Sequence, residues 1–151
     1  MDEDTTNTSR TIDDGTPTAR EFAGIGSWSL FLLALIFLYG STGLPWQFVN
    51  GGAGPLAPIT GGAAAALLGL IAGAVIASAV VLTVDGSMRQ LAFGLTVGFS
   101  FAATVAIVTV AQTLTKDVAT TDDVTLADGA YLAIIAMLIL IAAAALGRRR
   151  L

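Results

Sequence analysis

Three hydroxyl side chains, Thr96, Ser100 and Thr104, recur at four-residue spacing within an otherwise apolar stretch of this chain. At about 3.6 residues per turn, side chains four positions apart lie on one face of a helix. Such a row of hydroxyls could line a polar path for a small neutral solute or an ion. Each hydroxyl could instead donate to the backbone carbonyl one turn back, which requires no solute. The second interpretation is favoured because no charged residue joins the row, and Phe99 and Phe101 lie between its members.

Two residue types that commonly do chemistry are absent from the sequence. It contains no cysteine and no histidine, which excludes disulfides, thiol nucleophiles, zinc sites built from these residues, haem ligation by histidine and imidazole acid–base catalysis. The acidic residues lie outside the apolar stretches. An ionisable residue within a membrane segment commonly marks the working part of a pump or transporter. We therefore predict no catalytic residue, no cofactor, no metal site and no enzymatic activity.

The composition indicates a protein of the membrane. Hydrophobic residues make up 55% of the 151 residues and charged residues only 12%, whereas a soluble domain has about 25% charged residues. Residues 22–84 carry no charge at all. About 20 apolar residues in a helix cross the ~30 Å hydrocarbon core, so this run holds two crossings and a loop. The predicted fold class is all-α, an integral membrane bundle of four transmembrane helices.

Prolines, glycines and charges delimit the four helices. They are predicted at about 24–44, 62–84, 90–113 and 127–147, within a transmembrane domain over residues 22–147. Pro45 ends the first helix, and Thr125 with Asp128 suggests a capping box for the fourth. A cleaved signal peptide is an alternative for the first stretch, but the segment before it is acidic rather than basic.

The negative charge is concentrated at the N-terminus. Residues 1–21 hold six acidic against two basic residues, and the net charge of the whole chain is −4. We predict that this segment is a disordered acidic cytoplasmic tail, because it has too little apolar area to offset chain entropy. Residues 148–151 form a basic cytoplasmic C-terminus. The acidic surface and the single lysine, Lys116, resemble the composition of proteins from salt-loving archaea.

The arginines predict the orientation. Five of them flank helix ends that share one side if the chain crosses four times: Arg20, Arg89, Arg148, Arg149 and Arg150. Because lysine and arginine accumulate in cytoplasmic loops, both termini are expected in the cytoplasm and the chain in the cell membrane. The first outer loop, 45–61, is expected to lie along the membrane surface or to re-enter the membrane. The second, 116–128, is acidic and is expected to be solvated.

Small residues predict how the helices pack. Gly69 and Gly73 recur at four-residue spacing in the second helix, and Gly94 and Gly98 do so in the third. In lipid, such ridges let backbones approach closely, so we expect the second and third helices to form an antiparallel pair along them. The hydroxyl row would then face away from the glycines. The alternative is that the ridges form an interface between copies of the chain.

These patterns predict a non-catalytic structural or accessory subunit. The alternative is an oligomeric small channel or permease subunit, with its polar path along Thr96, Ser100 and Thr104. The expected partners are the lipid bilayer and either further copies of the chain or a larger membrane complex. No nucleic acid is expected as a partner.

Overall fold

Four long helices dominate the structure. The computed structural model describes residues 19–44, 47–49, 52–54, 62–117, 124–126 and 128–149, with side chains over 21–44, 65–109 and 128–149. The helices are α1 (Ala19–Thr42), α2 (Gly62–Thr83), α3 (Ser87–Asp117) and α4 (Asp128–Arg148). Each contains a stretch that is long and apolar enough to cross a membrane. The prediction of a helical fold with four such helices is confirmed.

A tight turn joins α2 to α3. Gly86 adopts a φ of 77°, a left-handed conformation that side chains with a Cβ rarely take. The Val84 N–H still donates to the Val80 carbonyl at 2.9 Å, and the Arg89 N–H donates to the Gly86 carbonyl at 3.2 Å. The turn therefore reverses the chain within a few residues, which makes α2 and α3 antiparallel neighbours.

Helix ends differ from the predicted ones at several points. The helix α1 already begins at Ala19, inside the predicted tail, while residues 1–18 lie outside the described part of the chain. The helix α3 continues through Asp117, so Lys116 is helical rather than part of the following loop. The helix α4 begins at Asp128, and Thr125 is paired in a strand instead of capping a helix.

A small antiparallel sheet connects the two loops at one end of the bundle. Its strands are β1 (Gln47–Val49), β2 (Gly52–Gly54) and β3 (Val124–Leu126), in the order β2-β1-β3. Phe48 is opposite Ala53 of β2 and Thr125 of β3. The strand β1 thus ties the α1–α2 connection to the α3–α4 connection. The sequence did not predict this sheet, because strands this short are too brief for a recognisable alternation of residues.

The bundle is organised around α4. The helix α1 packs mainly on α4, α2 packs mainly on α3, and α4 also contacts both α2 and α3. The main buried cluster draws on all four helices: Phe31, Ala34, Ala74, Leu82, Ala103, Met137, Leu140 and Ala143. Alanines supply much of this core, which allows the helix backbones to approach closely.

One end of the bundle carries the arginines. Val81 of α2, Ala92 of α3 and Ala144 of α4 form a buried cluster there. A side chain at Gly147 would contact Ser27 near the start of α1 and Leu82 near the end of α2. We call this the arginine end, because Arg89 and Arg148 lie on it.

Candidate functional site

The hydroxyl row of α3 faces the bundle interior. Thr96 and Ser100 are fully buried, and Thr104 is half-buried. On the same helix, Gly94 and Gly98 are exposed. The two sets of residues therefore occupy opposite faces of α3, because positions two apart along a helix differ by roughly 200°.

The threonines of this row bond to their own helix. The Thr96 hydroxyl donates to the Ala92 carbonyl at 2.9 Å, and the Thr104 hydroxyl donates to the Ser100 carbonyl at 2.9 Å. Such local bonds satisfy the hydroxyl donors without a partner helix or a solute. Ser100 differs, because its buried hydroxyl oxygen has no hydrogen-bond partner.

Three further buried hydroxyls belong to the interior and were missed in the sequence. Ser27 and Ser41 of α1 donate to the carbonyls of Gly24 and Leu38, at 2.9 and 2.7 Å. Ser78 of α2 is fully buried and its hydroxyl has no hydrogen-bond partner. Ser78 lies one turn from both Ala74 and Leu82 on α2. This spacing from apolar residues was the signal in the sequence that Ser78 faces the interior.

The two unpartnered hydroxyls are too far apart to bond to each other. A side chain added at Gly73 would lie 3.1 Å from the Phe99 ring, which places Gly73 opposite Phe99 in the antiparallel pair. With a rise of about 1.5 Å per residue, Ser78 and Ser100 are then roughly 9 Å apart along the bundle axis. Each is an isolated, desolvated hydroxyl. They can anchor a neutral group but cannot activate a nucleophile together.

An apolar groove lies elsewhere, on the outer side of α2 and α3. It has a volume of about 510 Å³ and is nearly all apolar. Its lining residues are Ala66, Leu67, Leu70, Phe101, Ala102, Val105, Ala106 and Thr109. None of Thr96, Ser100 and Thr104 contributes to it, so the hydroxyl row does not line this groove.

The predicted packing glycines lie in different environments. A side chain at Gly73 would meet the Phe99 ring at 3.1 Å, whereas at Gly69, Gly94 and Gly98 nothing lies within 4 Å. Only Gly73 of these four thus abuts a neighbouring helix. Two other close approaches were missed: a Cβ added at Gly26 would lie 3.1 Å from Leu146, and one added at Gly147 would lie 2.6 Å from Leu82. The run of small residues in α4 was the signal in the sequence for the close approach at Gly147.

The arginine end has one neutralised and two free cations among its described side chains. Arg89 is buried, donates from Nε to the Val84 carbonyl at 2.9 Å and forms an ion pair with Asp85. Arg148 and Arg149 are exposed, and the Arg148 guanidinium lies 5.1 Å from the centroid of the Phe93 ring. The side chain of Arg20 and the whole of Arg150 lie outside the described residues.

Within the described part of the chain, no group of three or more His, Cys, Asp or Glu side chains is placed to hold a metal ion. The fold and interior define a small four-helix protein with four candidate membrane spans and a basic end. In comparisons with protein-family models, with curated proteins and with solved structures, nothing matches this chain.

Proposed function

We propose that this chain is a multi-pass integral protein of the cell membrane that serves as a non-catalytic structural or accessory subunit. The observation that carries the membrane assignment is the outward face of the bundle. Large apolar side chains are exposed along it: Phe22, Ile25, Leu32, Ile36, Tyr39, Leu91, Leu95, Phe101, Val105, Tyr131, Ile135 and Leu138. In water so large a patch would drive association, whereas in lipid it needs no cover.

The non-catalytic role is supported by the interior. Its threonine hydroxyls donate to their own helix, and alanines of all four helices fill the main buried cluster together with a few larger apolar residues. Such an interior serves packing rather than the binding of a charged substrate, which would require a buried charge or several convergent polar groups.

The deciding experiment is purification of the tagged full chain in a mild detergent, followed by mass spectrometry of what accompanies it. An accessory subunit should co-purify in constant ratio with a larger membrane protein. A homogeneous assembly of this chain alone would instead favour the channel alternative. The same chain extracted under harsher conditions is the control for non-specific association.

A small channel or permease subunit is the second candidate, and the unpartnered hydroxyls of Ser78 and Ser100 are the observation that favours it. Buried polar groups without a partner are uncommon, and in some proteins they contact transient water. In a channel, the solute or ion would pass along these hydroxyls. An accessory subunit would conduct no solute or ion.

Replacing Thr104 with valine separates the two candidates. The Thr104 hydroxyl donates only to the Ser100 carbonyl of its own helix, so we expect the free energy of unfolding to change by less than about 1 kcal/mol. For an accessory subunit, liposomes containing the wild-type chain or the variant should pass water and potassium ions no faster than empty liposomes. Flux through the wild type that Thr104→Val changes at equal stability would contradict the accessory role.

The arginines of the bundle indicate its orientation in the membrane. Arg89, Arg148 and the start of α1 lie at the same end of the bundle, which supports the proposal that both termini face the cytoplasm. A reporter that is active only outside the cell, fused after Leu151, should therefore give no signal. Fusion of the same reporter into the α1–α2 connection is the positive control. A strong signal from the terminal fusion would require the opposite orientation or an odd number of crossings.

A further inference from the structure

Arg148 is held at the rim of the bundle by an aromatic ring. Its guanidinium lies 5.1 Å from the centroid of Phe93, near the start of α3, within the range of a cation–π contact. The contact joins the last turn of α4 to the second turn of α3. The charge is thereby positioned where α3 and α4 meet, while the residue remains exposed.

Two arginines of this end form no salt bridge with a described carboxylate. Asp85 forms an ion pair with Arg89. Arg148 and the adjacent Arg149 are both exposed, and no carboxylate of the described residues forms a salt bridge with either. Two neighbouring guanidinium groups at a membrane boundary present several N–H donors to an anion.

Apolar residues continue inward from these arginines. Phe93 and Val97 are half-buried and lie one turn apart on α3. Ile141 and Ala145 are half-buried and lie on the same face of α4 as Arg148, two turns and one turn before it. The surface where α3 and α4 meet thus runs from exposed arginines at its end to half-buried apolar side chains further inward. This order matches the headgroup and acyl chain of a phospholipid.

We propose that the arginine end binds an anionic phospholipid, with its phosphate at Arg148 and Arg149 and an acyl chain along Phe93, Val97, Ile141 and Ala145. The proposal rests on the proposed membrane location. Guanidinium groups bind phosphate oxygens through paired, charge-assisted hydrogen bonds. Basic residues next to a membrane helix attract anionic lipids, each contributing independently to the affinity.

The test compares the full chain with the double variant Arg148→Gln, Arg149→Gln in detergent micelles that contain either phosphatidylglycerol or phosphatidylcholine. Native mass spectrometry measures the lipid that each protein retains. The wild type should retain phosphatidylglycerol preferentially, and the double variant should lose this preference on the order of tenfold. Lys116→Gln removes a charge from the other end of α3 and should leave the preference unchanged.

The outcomes separate this site from the membrane assignment. Flotation with vesicles of phosphatidylcholine measures insertion alone, and both proteins should float equally. If the wild type inserts but retains both lipids equally, or if the double variant retains phosphatidylglycerol like the wild type, the lipid site is wrong and the membrane assignment stands. Inorganic phosphate that abolishes the preference at constant ionic strength would assign the site to a free anion and overturn the proposal. A preference that appears only when Asp13 and Asp14 are changed to asparagine would assign the arginines to the acidic N-terminal segment and also overturn it.

Discussion

Replacing Gly73 with leucine is expected to lower the free energy of unfolding by about 2–3 kcal/mol. A Cβ added at this position would lie 3.1 Å from two atoms of the Phe99 ring and 3.2 Å from a third. A planar ring packed between helices cannot yield as a flexible side chain can, so the remaining leucine atoms would push α2 and α3 apart. The dispersion contacts that hold these helices together would then be lost along the whole pair.

Gly69→Leu is the matched control for this variant. Gly69 lies one turn earlier on α2, and nothing lies within 4 Å of a side chain added there. Both variants change a glycine of α2 to leucine. By helix propensity alone, Gly69→Leu should raise the free energy of unfolding by up to about 1 kcal/mol. Unfolding of both variants in detergent, followed by circular dichroism against denaturant, measures the difference. Equal stability of the two variants would contradict the observed contact between Gly73 and Phe99.

The sequence pattern did not distinguish Gly69 from Gly73. Both residues belong to one ridge of small residues, and the spacing alone assigned them the same role. The phase of a helix against its neighbours is normally read from an apolar face and a polar face. The helix α2 is apolar on all sides, so its sequence does not indicate which face is inward, and the placement of Phe99 on α3 separates the two glycines.

The presence of four helices, unlike the direction that each face points, was predictable from the sequence. Length, uniform apolarity and charged or proline-containing ends are properties of each segment alone, and they gave four helices near their observed positions. Contacts between segments cannot be predicted from the properties of each segment alone. The pairing of β1 with β3, the central position of α4 and the close approach at Gly147 depend on residues far apart in the chain.

In the candidate site, too, the sequence predicted what depends on one helix and did not predict what depends on two. The spacing placed Thr96 and Ser100 on the face of α3 opposite Gly94 and Gly98. It assigned the packing face to the glycines, whereas the structure buries the two hydroxyls and exposes the glycines. Ser78 could not be associated with them from sequence, because that requires the register of α2 against α3. The contact of Arg148 with Phe93 likewise joins two helices and has no signature in either segment.

Replacing Met137 with alanine is expected to destabilise the bundle by about 2–4 kcal/mol. Met137 is fully buried, at 0% exposure, in the cluster that contains Phe31 of α1, Ala74 of α2 and Ala103 of α3. Its loss leaves a cavity that two of these neighbours cannot fill, because an alanine side chain has no rotamers with which to reach it. Within lipid, the loss of stability comes from the lost van der Waals contacts and not from a change in the exposure of apolar surface to water.

Leu138→Ala tests whether this cost reflects the central position of α4. Leu138 is the next residue, 59% exposed on the outer face, and its truncation removes contacts chiefly with the surrounding lipid or detergent. We expect a change within about 1 kcal/mol, measured by the same denaturant series. A similar effect of the two truncations would place Met137 outside the core. A large difference would instead mean that α4 joins the α2–α3 pair to α1 through interior contacts, so that weakening its inner face loosens three helices together.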